Sequence, residues 1–379
     1  MHPFTPHSPL SILTKCGSFA LIVVAGACNS DRALTAIDQP ASARSTANNE
    51  RDRELTIMTQ NIYQGTELEH SIAATTPQEF VAGATQDFLM MRQTDFSARA
   101  GAMVKGIAAN EPDLIGLQEV ALWRSGPHTT PATPATSVEQ DFLRILLDTL
   151  AAHDLHYSTV SSINNFDVQG PALLSTVGLT DVRLTDRDVI LARIDESGAE
   201  VKPSNSQAAN YATNLVLPTV AGPIVVLEGW ASIDVKYRGQ TIRFITTHLD
   251  ANVPQIRLAQ ARELLSGPAN TDLPVVVAGD MNTTSSTDTY AAITAAGFRD
   301  VWAQLHPADD GFTCCQTLPA ITNSISTLFQ RVDLFLVRGD LEAGSISRVG
   351  ADPSDRTLSG LWPSDHAGLA ATVLLKTKL

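Results

Sequence analysis

Apolar residues along the chain form short runs that stop at polar residues, and these runs predict buried β-strands. The clearest covers 275–278, where three valines and an alanine precede Gly279, Asp280 and Asn282. Asp and Asn are typical of turns, but they are also good ligands for hard cations. The polar end is therefore either an ordinary turn or one edge of a site supported by a rigid strand.

Further predicted strands cover 55–61, 114–120, 188–193, 224–227, 231–237, 241–247, 330–338 and 367–375. Five of them carry polar residues in the same way: Asn61 ends 55–61, Glu119 lies near the end of 114–120, His248 follows 241–247, Asp333 lies within 330–338, and Asp365 and His366 precede 367–375. A single polar residue at a strand end can occur by chance, but six of them, counting the one at 275–278, indicate a common cause. Strand ends at one edge of a sheet are neighbours in space. We expect these polar side chains to meet in one site.

Helical patterns lie between the predicted strands. Apolar residues at helical spacing predict helices over 77–91, 96–110, 138–152, 253–266 and 287–296. The Thr/Pro-rich stretch 124–137 is predicted as a loop, and the polar stretch 195–214 is predicted as a hairpin or a loop. The irregular alternation, with several antiparallel hairpins, favours a mixed α/β sandwich over a doubly wound parallel sheet. No interior linker interrupts 54–379, so we expect one large domain there.

The amino-terminal residues have the pattern of a secretory signal over 1–27 followed by a flexible linker over 28–53. An apolar run over 19–27 follows Lys15 and is shorter than the ~20 apolar residues needed to span a bilayer. Small residues before Cys28 fit signal cleavage, and Cys28 stands where bacterial lipoproteins carry their lipid. We expect export, with a membrane tether through Cys28 or release into the periplasm or medium. A mature chain without lipid by mass spectrometry would contradict the tether.

Composition narrows the classes of function. The 379 residues are 44% hydrophobic and 17% charged, which is typical of a globular protein, and the formal net charge is −14. An acidic protein has no overall attraction for a polyanion, so sequence-independent binding to duplex nucleic acid is not expected. Cys16, Cys28, Cys314 and Cys315 are too few for a disulfide scaffold and lack the spacing of a zinc site. The adjacent pair, Cys314 and Cys315, is either a disulfide or two packed thiols.

The chemistry of the polar strand ends points to a metal ion. Carboxylates and amides with few imidazoles suit Mg²⁺, Mn²⁺ or Ca²⁺ rather than zinc. The chain contains no P-loop, no GxSxG elbow, no HExxH motif and no GxGxxG fingerprint. Metal-assisted hydrolysis is the reaction class that uses all of the polar ends.

Six short motifs give the chain a resemblance to a known family. They are Gln60-Asn61, Leu117-Gln118-Glu119, Thr247-His248-Leu249, Gly279-Asp280-Met281-Asn282, Arg331-Val332-Asp333 and Ser364-Asp365-His366. In this order they resemble the endonuclease/exonuclease/phosphatase superfamily, whose members share the deoxyribonuclease-I-like fold. The resemblance implies a four-layer α/β sandwich, with two mixed sheets packed face to face between helical layers. It also implies hydrolysis of phosphoesters with a divalent metal ion.

The resemblance assigns the metal to one group of motif residues. Glu119 would be the principal ligand, with Asn61 nearby, and Asp365 would support the metal. Mg²⁺ is the expected ion, with Mn²⁺ or Ca²⁺ as alternatives.

A second group of motif residues would carry the reaction. Asp280 and Asn282 would orient the attacking water and the phosphate. Asp333 would fix the tautomer of His366, as carboxylates do for imidazoles in other hydrolases. Either Asp280 or His366 could be the general base, because an adjacent carboxylate also favours a cationic imidazole that stabilises phosphoryl charge.

Further residues are expected to have supporting roles. His248 would belong to the catalytic group, and Asp186 or Asp188 would pair with it. Arg331 would order the neighbouring loop. Gly279 would let the backbone approach the phosphate closely.

The expected function is therefore a phosphodiesterase of nuclease type in which water attacks in line without a covalent intermediate. Alternatives are a sphingomyelinase-like or phospholipase C-like enzyme, a phosphomonoesterase on a small substrate, and a non-catalytic member that uses the fold to bind a partner. Nucleic acid, a phospholipid headgroup and a small phosphoester all remain open as substrates. We expect a monomer.

Overall fold

In the computed structural model, which describes residues 54–176, 178–194, 201–237 and 239–375, most strands lie where the apolar pattern predicts them. In chain order they are β1 (Glu54–Asn61), β2 (Leu114–Gln118), β3 (Leu122–Pro127), β4 (Ser137–Asp141), β5 (Tyr157–Ser175), β6 (Gly178–Arg193), β7 (Val201–Asn210), β8 (Leu215–Thr219), β9 (Gly222–Val226), β10 (Gly229–Tyr237), β11 (Gln240–Thr247), β12 (Val275–Asp280), β13 (Arg299–Asp300), β14 (Asp333–Arg338), β15 (Leu341–Val349) and β16 (Gly368–Leu375). The predicted signal segment 1–27, the linker 28–53 and Cys28 lie outside the described residues.

The strands form two large sheets and one small one. The first runs β15-β16-β1-β2-β6-β3-β4, with β5 on the other edge of β6, and the second runs β13-β14-β12-β11-β10-β7. Both are mixed, because β1 pairs in parallel with β2 and β11 in parallel with β12, whereas most other pairs are antiparallel. The hairpin of β8 and β9 is a separate two-stranded sheet.

Helices cover the outer face of each large sheet. They are α1 (Glu69–Ile72), α2 (Pro77–Gln93), α3 (Phe96–Asn110), α4 (Phe142–Ala151), α5 (Pro254–Ser266), α6 (Asp288–Ala295) and α7 (Val301–Leu305), with a short 3₁₀ helix at Pro353–Asp355. No helix among the described residues is long and apolar enough to cross a membrane.

The core has three layers of apolar contact, which makes the protein a four-layer sandwich as predicted. One apolar cluster joins α2, α3 and α4 to the first sheet, a second lies between the sheets, and a third joins the second sheet to α5 and α6. Strand β12 belongs to two of them: Val276 packs between the sheets, while Val275 and Val277 pack towards the helices. Burial on both faces explains its unbroken apolar run.

Three local predictions were wrong. Residues 137–141 form β4, so the predicted helix over 138–152 begins only at Phe142. The predicted loop 124–137 contains strand residues, because β3 and β4 extend into it. Strand β7 occupies part of 195–214, where a hairpin or a loop was predicted. The edge strands β4 and β7 hold their place through backbone pairing and leave polar side chains exposed, so they lack apolar alternation. Asp333 is the first residue of β14 and not an interior one.

Candidate active site

The polar strand ends meet at one edge of the sandwich, as the strand pattern predicts. Asn61 ends β1 and lies beside Gln118 of β2, because these strands are parallel and in register. In the second sheet Asp280 ends β12 and lies opposite Asp333, the first residue of β14. The ends of two facing sheets therefore bring their polar side chains into one cleft of about 1090 Å³.

Asn61 connects the two sheets at this edge. Its Nδ2 donates to Glu119 Oε1 at 2.9 Å and to Asp280 Oδ2 at 3.2 Å. Glu119 follows β2 in a left-handed conformation, with a φ of 58°, which turns its side chain into the cleft. Its second oxygen accepts a hydrogen bond from the backbone N–H of Gln64 at 2.8 Å. The amide of Asn61 thus fixes the separation between the predicted metal ligand and Asp280.

Asp280 is buried between two imidazoles. Its Oδ2 lies 3.5 Å from His248 Nε2 and 3.8 Å from His366 Nδ1, and its Oδ1 accepts from the N–H of Asn282 at 2.9 Å. Burial alone would raise the pKa of Asp280, but the imidazoles of His366 and His248 outweigh it and hold that pKa below its usual value. Asp280 is therefore a carboxylate at neutral pH.

His366 is the most strongly paired imidazole in the cleft. Asp333 Oδ2 lies 2.8 Å from His366 Nδ1. Burial would lower the pKa of His366, but the carboxylates of Asp333, Asp365 and Asp280 raise it well above its usual value. Because Asp333 occupies Nδ1, the other ring nitrogen, Nε2, faces Asp365 and Cys315 at the cleft. The predicted pairing of Asp333 with His366 is present in the structure.

His248 has acidic neighbours on its other side. Its Nδ1 lies 4.0 Å from Glu228 Oε2, and Asp186 and Glu228 each place a ligand atom within 4.8 Å of it. Asp188 also acts on His248 electrostatically, but no hydrogen bond joins Asp186 or Asp188 to the ring within the described chain. Burial would lower the pKa of His248, and the carboxylates of Glu228 and Asp280 instead raise it to about 10.

The sequence of most of the domain matches a known family. The model of the endonuclease/exonuclease/phosphatase family matches residues 59–366, which include all the polar strand ends described above. The chain belongs to this family. It is therefore a phosphoric ester hydrolase of a divalent-metal-dependent family. Among curated protein sequences, none matches the chain significantly.

Solved structures of the family share the fold. A humanized TDP2 from D. rerio superposes with a TM-score of 0.51 at 19% identity, covering 85% of this chain and 99% of that one. A family member from Bacteroides vulgatus gives 0.51 at 18% identity, with coverage of 85% and 99%. A third, from Leptotrichia buccalis C-1013-b, gives 0.50 at 18% identity, with coverage of 84% and 99%. At these identities the likeness establishes the deoxyribonuclease-I-like fold.

The donor set of the cleft fits the divalent cation that the family uses. Glu119 and Asp365 offer carboxylate oxygens, and Asn61 offers only Oδ1, which already accepts a hydrogen bond from the N–H of Tyr63 at 3.0 Å. Glu67 adds a carboxyl group that interacts electrostatically with Asp365 and Glu119. Burial and the charge of Glu119 raise the pKa of Asp365 to about 6. Carboxyl groups gathered in this way repel one another, and a divalent cation would neutralise them.

Asn282, Arg331 and the adjacent cysteines lie at the margin of the site. Asn282, with a φ of 46°, lines the cleft and donates its Nδ2 to Leu249 O at 2.8 Å. Arg331 donates to Asp300 Oδ2 at 2.6 Å and to the carbonyl oxygen of Asp310 at 3.2 Å, so it ties down a neighbouring loop and does not line the cleft. The sulfurs of Cys314 and Cys315 are joined, and Cys315 Sγ lies 3.9 Å from His366 Nε2.

Gly279 lies against a neighbouring strand. A Cβ at this position would overlap the carbonyl oxygen of Thr247 in β11 and would lie 2.9 Å from the Thr247 nitrogen. The glycine thus allows two strand backbones to approach closely, and its predicted role towards the phosphate stays a prediction.

Sequence reasoning missed Glu228 and Glu67. Glu228 immediately precedes β10, directly after the uncharged stretch 215–227, and its place beside His248 depends on the pairing of β10 with β11. A single acid directly after a predicted strand, here 224–227, is the same signal that identified other site residues. Glu67 lies in an irregular segment between β1 and α1, where no periodic pattern places a side chain.

Proposed function

We propose that this protein is a divalent-metal-dependent phosphodiesterase whose substrate carries one apolar ester group. The observation that carries the proposal is the lining of the cleft. Among the described residues that line it, ten are Asp or Glu and none is Lys or Arg. A polyanion such as an oligonucleotide needs cationic side chains along its phosphates. The cleft therefore favours a substrate with a single negative charge, which is a diester.

The remainder of the cleft wall is apolar. Phe80, Trp123, Phe166 and Leu184 line it on the side of the first sheet and its helices. The hairpin of β8 and β9 forms another part, and residues 215–227 contain no charged side chain. This apolar region adjoins Glu119, Asp280 and His366 in one continuous cleft, so a diester bound at the reaction centre would place an ester group against it.

The hairpin also bears exposed apolar residues. Val216, Val220 and Val225 are 54%, 40% and 46% exposed, although large apolar side chains usually lie inside. Their position beside the cleft supports an amphiphilic substrate, such as one with an alkyl or aryl ester group.

The paired acids and imidazoles supply the chemistry of hydrolysis. We assign Asp280 to orient the attacking water and accept its proton, because its carboxylate is ionised and is held at a fixed distance by Asn61. We assign His366 to stabilise negative charge on the phosphoryl oxygens, because Asp333 and its other neighbours keep the imidazole protonated. Asn282 orients the phosphate.

A divalent cation, Mg²⁺ first and Mn²⁺ or Ca²⁺ as alternatives, would be held by Glu119, Asn61 and Asp365. When bound, it supplies positive charge that polarises the phosphoryl group and favours departure of the leaving oxygen. His248 presents Nε2 to Asp280 and helps to keep that carboxylate ionised.

A series of p-nitrophenyl diesters tests the substrate class. The second ester group is methyl, butyl or hexyl, or the 5′-thymidyl group of a nucleotide, and p-nitrophenyl phosphate serves as the monoester. Each buried CH₂ group contributes about 0.8 kcal/mol, so kcat/KM should rise at least about tenfold from methyl to hexyl. Ile224→Ser, in the lining of the cleft, should flatten this rise, whereas Val216→Ser, in the same hairpin but outside the lining, should not.

Two outcomes would reject the apolar ester group. A preference for the thymidyl diester without dependence on chain length would indicate a nucleotide substrate. Fastest turnover of p-nitrophenyl phosphate would indicate a monoesterase.

A further inference from the structure

The ring of His248 separates the reaction centre from a second group of acidic side chains. Its Nε2 faces Asp280 Oδ2 at 3.5 Å, whereas its Nδ1, on the other side of the ring, lies 4.0 Å from Glu228 Oε2. Asp186 joins this second group, and the three residues each offer one ligand atom, all within 4.8 Å of one another. The group comes from β6, from the residue before β10 and from the residue after β11.

Each member of the group has a buried atom without a hydrogen bond. Within the part of the chain that the structure describes, Asp186 Oδ1, Glu228 Oε2 and His248 Nδ1 have no hydrogen-bond partner. The three residues are only 2%, 7% and 8% exposed. Buried polar atoms are almost always satisfied, so three neighbouring ones, two of them carboxyl oxygens, indicate an occupant between them.

A second contact orients one of these ligands. Asn165 Nδ2 donates to Asp186 Oδ2 at 3.0 Å, which leaves Oδ1 of the same carboxylate for an occupant. Asn165 is itself buried, at 2% exposed. Carboxylates that bind metal ions are commonly oriented by a hydrogen bond to one oxygen, while the other oxygen binds the metal.

The charge of the group also favours a cation. Three buried acids, Asp186, Asp188 and Glu228, surround the single imidazole of His248. One proton on that ring would leave an excess of negative charge in a region from which water is largely excluded, which is costly. A divalent cation would balance the excess.

We propose that Asp186, Glu228 and His248 form a second cation site, separate from the one at Glu119 and Asn61. Two carboxylate oxygens and one imidazole nitrogen suit Mn²⁺ or Zn²⁺ better than Mg²⁺, which prefers an all-oxygen shell. Binding at Nδ1 leaves the ring proton on Nε2, the atom that faces Asp280. The site thereby sets His248 as a hydrogen-bond donor towards the reaction centre.

The competing occupant is a proton. In that case Nδ1 of His248 would carry a hydrogen towards Glu228, and the pair would be an ordinary ion pair without metal. A bound ion that is coordinated directly by an imidazole nitrogen would show that a metal, and not a proton, occupies the group. Such an ion would also differ from one at the first proposed site, whose ligands Glu119, Asn61 and Asp365 would all be oxygen atoms.

The test uses the full chain without a polyhistidine tag, stripped with a chelator and titrated with Mn²⁺. The number of bound ions per chain is obtained from the electron paramagnetic resonance signal of free Mn²⁺. Pulsed measurements on the bound ion then detect any ¹⁴N nucleus that coordinates it directly. The wild type should bind two ions, one of them with nitrogen coupling. Glu228→Gln should lose that ion and its nitrogen coupling, whereas Glu119→Gln should keep the nitrogen-coupled ion and weaken binding of the other. Asp148→Asn, an exposed residue of α4 with the same change in charge, should match the wild type.

The proposal fails if the wild type shows no nitrogen-coupled Mn²⁺, or if Glu228→Gln shows as much as the wild type. Circular dichroism checks the fold of each variant. If Glu228→Gln does not fold, Asp186→Asn takes its place with the same expected loss.

Discussion

At the scale of single residues, the active site consists of carboxylates and imidazoles that fix one another's charge. Asp333 holds His366, and His366 with His248 keeps Asp280 ionised, although all of them are buried. Isolated buried charges are costly, so each of these groups depends on its neighbours. This dependence makes the site sensitive to pH even without substrate.

The metal-free protein should lose stability as the pH rises from about 6.5 to about 10. An unfolded histidine has a pKa of about 6.5, and in the folded chain the pKa of His248 is raised to about 10. The folded state therefore binds an extra proton across this window, and the stability due to that proton is complete below pH ~6.5 and lost as pH passes the folded pKa.

Urea unfolding of the metal-free protein at pH 6 and pH 9.5 measures this effect. Between pH 6 and pH 9.5, the free energy of unfolding of the wild type should fall, and that of His248→Gln should fall less. His153→Gln, which alters an exposed histidine next to α4, is the control and should behave like the wild type. Equal pH dependence in all three proteins would show that His248 is not held as a cation.

Residue identities at the site could largely be predicted from the sequence, because a polar residue at the end of an apolar strand is a local signal. Glu119, Asp280 and His366 were found in this way. Partners across the chain were harder to find. Glu228 lies beside His248 only because β10 pairs with β11 in one register, and that register is a long-range property.

At the scale of elements, β12 shows how the strand framework constrains the site. It pairs in parallel with β11 and in antiparallel with β14, and it carries Asp280 at its end. Gly279, one residue earlier, lies against the backbone of Thr247, so the position of Asp280 depends on a close approach of two strands.

Gly279→Ala should therefore destabilise the protein. The added methyl group would overlap the backbone of Thr247, and overpacking of this kind costs about 1–3 kcal/mol or more in unfolding free energy. Gly101→Ala is the matched control, because a Cβ there meets nothing within 4 Å and lies in α3, where alanine is favoured by up to about 1 kcal/mol. Chemical denaturation compares the two, and an equally stable Gly279→Ala would refute the close approach.

Elements that carry apolar periodicity could be predicted, and edge elements could not. The helix predicted over 96–110 matches α3, and the strand predicted over 275–278 lies within β12. Strand β4 was missed, and the region of β7 was left open as a hairpin or a loop, because the side chains of both strands are mostly polar and exposed and only backbone pairing with a neighbour defines them.

At the scale of the whole molecule, the sandwich brings two sets of residues to one edge. The first sheet supplies Asn61 and, directly after β2, Glu119, whereas the second supplies Asp280 and Asp333. Neither sheet alone holds both the predicted metal ligands and the acid–imidazole pairs. Asn61 spans the junction, so the separation of the two sets is set by how the sheets pack. This separation could not be predicted from the sequence, because packing between sheets depends on contacts throughout the core.

The most direct test of the account is metal-dependent turnover of bis-p-nitrophenyl phosphate by the full chain. EDTA should reduce the rate to background, and excess Mg²⁺ or Mn²⁺ should restore it. With metal present, Asp280→Asn should lower kcat by about 10²–10⁴-fold with an unchanged circular dichroism spectrum, while Asp148→Asn retains full activity. Turnover that survives EDTA, or an Asp280→Asn protein as active as the wild type, would contradict metal-assisted hydrolysis at this site.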